Sequence, residues 1–308
     1  MRYWLKRTRS LELTIYFSFL CISVLFGQEN AKLEKLEKLE KLPKVLREVS
    51  GMQYTHKDKL LWMVNDSGNA PVLYARDPKK GKAKCEFPLD ELTNTDWEDL
   101  AWDGDRCLFI ADIGNNANRR KNLAIHHYEL GKSPCEAPTY LGTTHFRYQD
   151  QTSFPPKRKD RKFDAEALVY KEGEFLIFTR HRDKGFDGRT NVYVLPAEPG
   201  EFVAKKITSL KTCDDSRDCQ ITAADIHHTS GLIALLSYNK IWLLEGLDSQ
   251  RPELVSSTKI KLQHYTQKES LTFLDENTML IADERSAGKG PFLYRLELNI
   301  KTDTDGDP

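Results

Sequence analysis

Residues 95–116 read TDWEDLAWDGDRCLFIADIGNN. Acids open the stretch at Asp96, Glu98 and Asp99, and Asp112 closes the apolar run CLFIAD. Between them stands DGD, a turn signal. Aromatic and β-branched residues on both sides of such a turn predict two antiparallel strands. A hairpin returns to where it began, so carboxylates at its two ends gather in one place.

The pattern recurs along the chain. Ser50-Gly-Met-Gln-Tyr54 leads to LLWMVND, ending at Asp66. Glu98-Asp-Leu-Ala-Trp102 leads to CLFIAD, ending at Asp112, and Glu166-Ala-Leu-Val-Tyr170 leads to FLIFTR, ending at Arg180. Ala224-Asp-Ile-His-His228 leads to LIALLSY, ending at Tyr238, and Glu269-Ser-Leu-Thr-Phe273 leads to MLIAD, ending at Asp283. The repeats start 48, 68, 58 and 45 residues apart. A third apolar segment follows each hairpin, and a fourth follows in four cases, among them KCEFPL and THFRYQD. No long amphipathic helix interrupts them. This predicts an all-β fold, a five-bladed β-propeller of four-stranded blades. A β-sandwich with accidental spacing is the alternative. The fifth repeat lacks its fourth strand, and KLPKVLREV (41–49) is the candidate to complete it. A ring closed by such an N-terminal strand leaves no exposed sheet edge.

The flanks divide the rest. Residues 1–27 run from basic MRYWLKRTRS through an apolar stretch of about fifteen residues to Gly27, the order of a secretory signal peptide. An uncleaved membrane anchor is the alternative. Residues 28–42 read as a low-complexity linker: leucine falls at every third position of AKLEKLEKLEKL and the 3.6-residue helical spacing is absent, which points to a frayed helix or solvated linker over a coiled coil. The propeller is expected over 43–299 and a polar tail over 300–308. The expected location is secreted or periplasmic, and the expected state a monomer. With 46 basic and 46 acidic residues the net charge is zero, so nothing marks a nucleic-acid footprint. Of the cysteines after the leader, Cys213 and Cys219 flank a polar loop and suit a local disulfide, while the odd count leaves at least one thiol free.

In a propeller the first strand of each blade is innermost, and its start points at the central channel. Ser50, Glu98, Glu166, Ala224 and Glu269 then form a ring at one level. Asp66, Asp112, Arg180, Tyr238 and Asp283 rim the same mouth. Three converging glutamates repel one another, and unpaired buried charges cost several kcal/mol each. Either a hard cation, with about six to eight oxygen ligands, compensates them, or they satisfy backbone N–H groups and Arg180. Calcium is the natural cation of an exported protein.

Those ring residues carry a resemblance. The chain is similar to secreted calcium-activated nucleotidases (apyrases), five-bladed propellers with calcium in the channel. Ser50, Glu98, Glu166, Ala224 and Glu269 match that family's ring of Ser, Glu, Glu, Ser, Glu, with Ala224 lacking the hydroxyl. Trp97-Glu98-Asp99-Leu100-Ala101, Arg180 with Arg182, and Ile281-Ala282-Asp283 resemble its motifs. The chain also resembles uncharacterised secreted bacterial propellers with a WED…GDxGNN-like blade. The first resemblance implies Ca2+ as cofactor and hydrolysis of phosphate anhydrides or esters. Asp112 or Asp283 would be the base, and Arg180, Arg182 and Asp66 would contact a phosphate-containing or other small ligand. The alternatives are a non-catalytic recognition propeller with a structural metal, and a lactonase-like hydrolase. The two DxGN motifs, at Asp66 and Asp112, suit turns as well as mouth function. No GxSxG, HExxH or phosphate-binding glycine loop occurs.

Overall fold

A computed structural model of the chain describes residues 31–79, 83–133, 135–286 and 288–300. The signal segment and the acidic tail from residue 301 lie outside the described residues. The first strand, β1 (Ala31–Lys41), is followed by a short 3-10 turn at Lys44–Leu46. Unit one is β2 (Val49–Thr55), β3 (Leu60–Asn65), β4 (Val72–Arg76) and β5 (Ala83–Pro88). Unit two is β6 (Trp97–Trp102), β7 (Cys107–Asp112), β8 (Leu123–Glu129) and β9 (Thr139–Tyr148). Unit three is β10 (Asp164–Lys171), β11 (Glu174–Arg180), β12 (Arg189–Pro196) and β13 (Gly200–Lys211). Unit four is β14 (Ala223–His227), β15 (Leu232–Leu236), β16 (Lys240–Glu245) and β17 (Ser256–Lys261). Unit five is β18 (Lys268–Asp275), β19 (Thr278–Asp283) and β20 (Phe292–Ile300), completed by β1.

Each unit is an antiparallel meander, and the inner strands touch in the cyclic order β2, β6, β10, β14, β18 and back to β2. Five apolar clusters fill the gaps between neighbouring units, the last joining unit five to unit one through Leu280, Leu293, Val49 and Met63. The arrangement is a β-propeller. Because each sheet is covered on both faces, the second strand of each unit is buried almost throughout: every residue of β3 and of β19 is buried. The outermost strands face water and alternate, as in β9 and β17. The outer strands of units two and three also pair in parallel, Gly200–Ala204 against Thr144–Tyr148, which fuses those two sheets into one of eight strands. Turn chemistry follows the sequence. Asp103 Oδ1 accepts from the N–H groups of Asp105 and Cys107, and Gly104 sits at φ +88°.

The ring is closed by an N-terminal strand, but a different one from KLPKVLREV. The closing strand is the low-complexity stretch itself, so the 28–42 linker boundary is corrected from Ala31 onward. The reason lies in its register. Leu33 pairs with Leu298 and Leu36 with Leu296, because one residue bulges out between Leu33 and Lys35. A β-bulge absorbs one extra residue. It turns a three-residue leucine spacing into the two-residue period of a strand and keeps both leucines on the core face. A second bulge follows between Lys38 and Glu40, and there Leu39 is left 41% exposed. The C-terminal boundary also moves by one residue, since β20 runs through Ile300. Cys213 and Cys219 are bonded as expected, Cys85 and Cys135 form a second disulfide between units one and two, and Cys107 is free.

Candidate functional site

The predicted ring residues occupy a common structural position. Strand register slips between Val49 and Gly51, Trp97 and Asp99, Ala165 and Ala167, and Lys268 and Ser270. Ser50, Glu98, Glu166 and Glu269 are therefore the bulged residues of four inner strands. Bulges re-aim a side chain without ending the strand. Ala224 is the exception: it pairs in register with Leu235. The bulge also shifts the expected cross-strand neighbours, so that Asp112 lies opposite Trp97 and Asp283 opposite Lys268.

One residue further along, the channel is closed by two buried carboxylates. Asp99 accepts from the N–H groups of Leu100, Leu168 and, at 3.3 Å, Ala224, tying three inner strands together. Asp225 accepts from the N–H groups of Ile226 and Phe273 and from the Thr272 hydroxyl. Burial pushes both acids up, Asp225 to about 6.

Above this floor the mouth divides into two halves. On one side Glu166 is clamped by Arg180 and Arg182, each at 2.7 Å. Arg182 also holds Asp164 at 2.6 Å, and Arg180 donates to the Tyr238 hydroxyl at 2.9 Å and stands 3.8 Å from Glu269. Burial opposes the Arg180 charge, but Glu166 and Glu269 outweigh it and hold its pKa up. For Glu166 the structure thus shows the arginine pairing that stood as the alternative to a cation.

On the other side three carboxylates meet without such a clamp. Asp66, just after β3, Asp96, just before β6, and Glu98 bring one oxygen each to within 4.8 Å of one another. Glu98 is 7% exposed. Its carboxyl is pushed well up, first by burial and then by Glu166, Asp66, Asp164 and Asp96. Burial raises Asp66 to about 6 and also raises Asp96. Gly114 packs directly on this cluster. A Cβ there would overlap Glu98 Oε1 and Asp96 Oδ2, so the glycine of DIGN makes room for carboxylates. Gly68, in the other DxGN motif, has open space around it and φ +78°, which makes it a turn glycine.

The remaining predicted residues are engaged elsewhere. Ser50 donates to the Trp97 carbonyl at 2.7 Å. Asp112 accepts from Arg120 at 2.7 Å and from the Asp96 N–H at 3.1 Å. It shapes the loop that carries Asp96. Asp283 accepts from the Phe292 N–H and the Tyr294 hydroxyl. Repeat logic passed over two mouth residues, Asp96 and Glu284. Asp96 precedes the repeat, and its signal was the two-residue spacing to Glu98. Glu284 follows Asp283, bonds Gln267, and is raised to about 7 by burial and by Asp66, Glu48 and Glu166.

No protein-family model matches the chain, and no curated protein matches it. Among solved structures, the chain is similar to the PQQ-bound aldose sugar dehydrogenase of Streptomyces coelicolor, at 9% identity and TM-score 0.51, over 86% of this chain and 98% of that one. A nidogen/laminin complex aligns at 11% identity and TM-score 0.45, over 87% of this chain and 98% of the other. At such identities the likeness to the dehydrogenase concerns the propeller fold alone.

Proposed function

We propose that the protein is an exported β-propeller that binds a divalent cation, calcium by donor chemistry, through Asp66, Asp96 and Glu98. One observation carries this: three carboxylates converge at the channel mouth with no arginine clamped on Glu98. Such a cluster is held as anions only by a compensating charge. Its donors are all oxygen, which suits a hard cation. Compared with the ring expected from the repeat, the cation seat moves to one side, because the arginines neutralise the other. Two disulfides support an oxidising location.

For the activity, the geometry favours cation-dependent recognition of a small anionic ligand at the mouth. Both expected bases, Asp112 and Asp283, are held in fixed hydrogen bonds, and both arginines already have carboxylate partners. Hydrolysis is the second reading, favoured by Glu284, a half-buried carboxyl raised to about 7 beside the cluster. Such a group can take and return a proton near neutral pH. A bound cation would supply polarisation of a phosphoryl oxygen.

Thermal unfolding with calcium or with chelator tests the proposal. Calcium at a hundredfold excess over its Kd adds about 2.7 kcal/mol, and Glu98→Gln should abolish that gain. An unchanged Tm in the unmodified protein would sink the cation reading. Calcium-dependent turnover of nucleoside triphosphates or phosphodiesters, lost in Glu284→Gln, would establish hydrolysis over recognition.

A further inference from the structure

Three neighbouring loops on the mouth face of units two and three carry a surplus of positive charge. They are residues 113–122 after β7, 149–163 before β10 and 181–188 after β11. The middle loop contains Lys157-Arg-Lys-Asp-Arg161, with a 3-10 turn at Arg158–Asp160. Hydrogen bonds join the loops into one platform. The Arg161 and Arg158 carbonyls accept from the N–H groups of Arg182 and Lys184, at 2.9 and 3.1 Å. Asn118 Oδ1 accepts from the Phe163 N–H at 2.9 Å, and the Gln151 amide donates to the Asn118 carbonyl at 2.9 Å. Lys121 Nζ stands 5.2 Å from the centre of the Phe154 ring. Three basic residues of these loops are paired: Arg120 with Asp112, Lys162 with Asp187, and Arg182 with Asp164 and Glu166. Lys157, Arg158, Lys159 and Arg161, with Arg119, Lys121 and Lys184 from the flanking loops, have no ion-pair partner among the described residues, and all but the half-buried Arg161 are exposed. Against these seven stand Asp160, Asp183 and Asp150, the last accepting from the Tyr193 hydroxyl. In a chain of 46 basic and 46 acidic residues this surplus is local.

We infer that this platform docks a linear acidic polysaccharide bearing carboxylate or sulfate groups. Like charges crowded on exposed loops raise a positive potential and gather counterions, which a polyanion displaces on binding. The guanidinium fork of arginine matches a carboxylate or a similar oxyanion. Hydrogen bonds between the loops hold the charges in place before contact, so little ordering opposes binding. The surroundings select a narrow chain over a flat surface. The platform adjoins the arginine half of the mouth through Arg182, while Asp66, Asp96 and Glu284 lie on the same face. An anionic bilayer resting there presses its headgroups onto those acids, whereas a single chain follows the basic loops past them. The three loops also present no large apolar side chain in an exposed position for insertion into a bilayer. Single-stranded nucleic acid is bound by stacking on aromatic rings as well as by charge, and Phe154, Phe163 and Phe186 are all at least partly buried. This docking surface is independent of the cation seat.

Titration calorimetry on the full chain in chelator, with heparin and polygalacturonate as probes, tests it. We expect binding to at least one of the two at low salt, weakening steeply as salt rises. The triple variant Lys157→Gln, Arg158→Gln, Lys159→Gln should bind at least about tenfold more weakly and with a shallower salt dependence. These side chains are exposed, so its Tm should match that of the unmodified protein. The control is Lys259→Gln with Lys261→Gln, two exposed lysines on β17 in unit four, which should bind as the unmodified protein does. Binding to neither polysaccharide, an equal loss in both variants, or tighter binding to phosphatidylglycerol vesicles or to a single-stranded oligonucleotide overturns the inference.

Discussion

Gly114 shows how a single missing atom sets the character of the mouth. Its backbone lies against Glu98 and Asp96, and nothing but hydrogen fits between them. Gly114→Ala must push the carboxylates apart or displace the DIGN loop. Overpacking of this kind costs about 1–3 kcal/mol. The calcium-induced rise in Tm should vanish with it. Gly68→Ala is the control: it pays only for a left-handed backbone, about 1–2 kcal/mol, and should keep the calcium response. Scanning fluorimetry of both variants with and without calcium separates the two roles. In sequence the motifs look alike, because DSGN and DIGN differ in what approaches them and not in their letters.

At the scale of the element, β1 has the least regular pattern and the largest structural task. It covers β20 along its length, and its Glu40 reaches the buried guanidinium of Arg76 in unit one. Removing residues 1–41 exposes the β20 edge and leaves Arg76 without that carboxylate. Breaking a buried ion pair by losing one partner costs about 3–5 kcal/mol. The truncated chain should therefore unfold at lower urea, by at least that amount. Its open edge should also give dimers or larger species on size exclusion. A monomeric truncation of unchanged stability would show that the ring does not depend on this strand. Periodicity missed β1 because bulges, which depend on the partner strand, reset its count.

For the whole molecule, the channel mouth couples stability to pH. Asp66, Glu98, Asp164 and Glu284 all have folded-state pKa values raised above those of free carboxyls, Asp66 to about 6 and Asp164 and Glu284 to about 7. Folding therefore favours their protonated forms. The associated stability is present below the ordinary carboxyl range, and it is lost as pH rises through about 6–7. In chelator, Tm should fall between pH 5 and pH 7.5. Calcium binds the ionised cluster and competes with protons, so the gap between calcium and chelator curves should widen over the same interval. A gap independent of pH would place the cation away from these acids.

Local chemistry alone determined the repeat: turn residues, strand propensity and the spacing of apolar runs require only neighbours in the chain. It therefore showed the hairpins, the four-stranded units, the ring closure from the N-terminus and the glutamates at inner-strand starts. It could not show which acids end up beside which bases. Glu98, Glu166 and Glu269 share one sequence position, yet Arg180 and Arg182 neutralise Glu166, while Glu98 faces Asp66 and Asp96. That division is made by side chains from other units reaching across a common channel. Charge pairing depends on distance in space, and only the closed ring sets those distances.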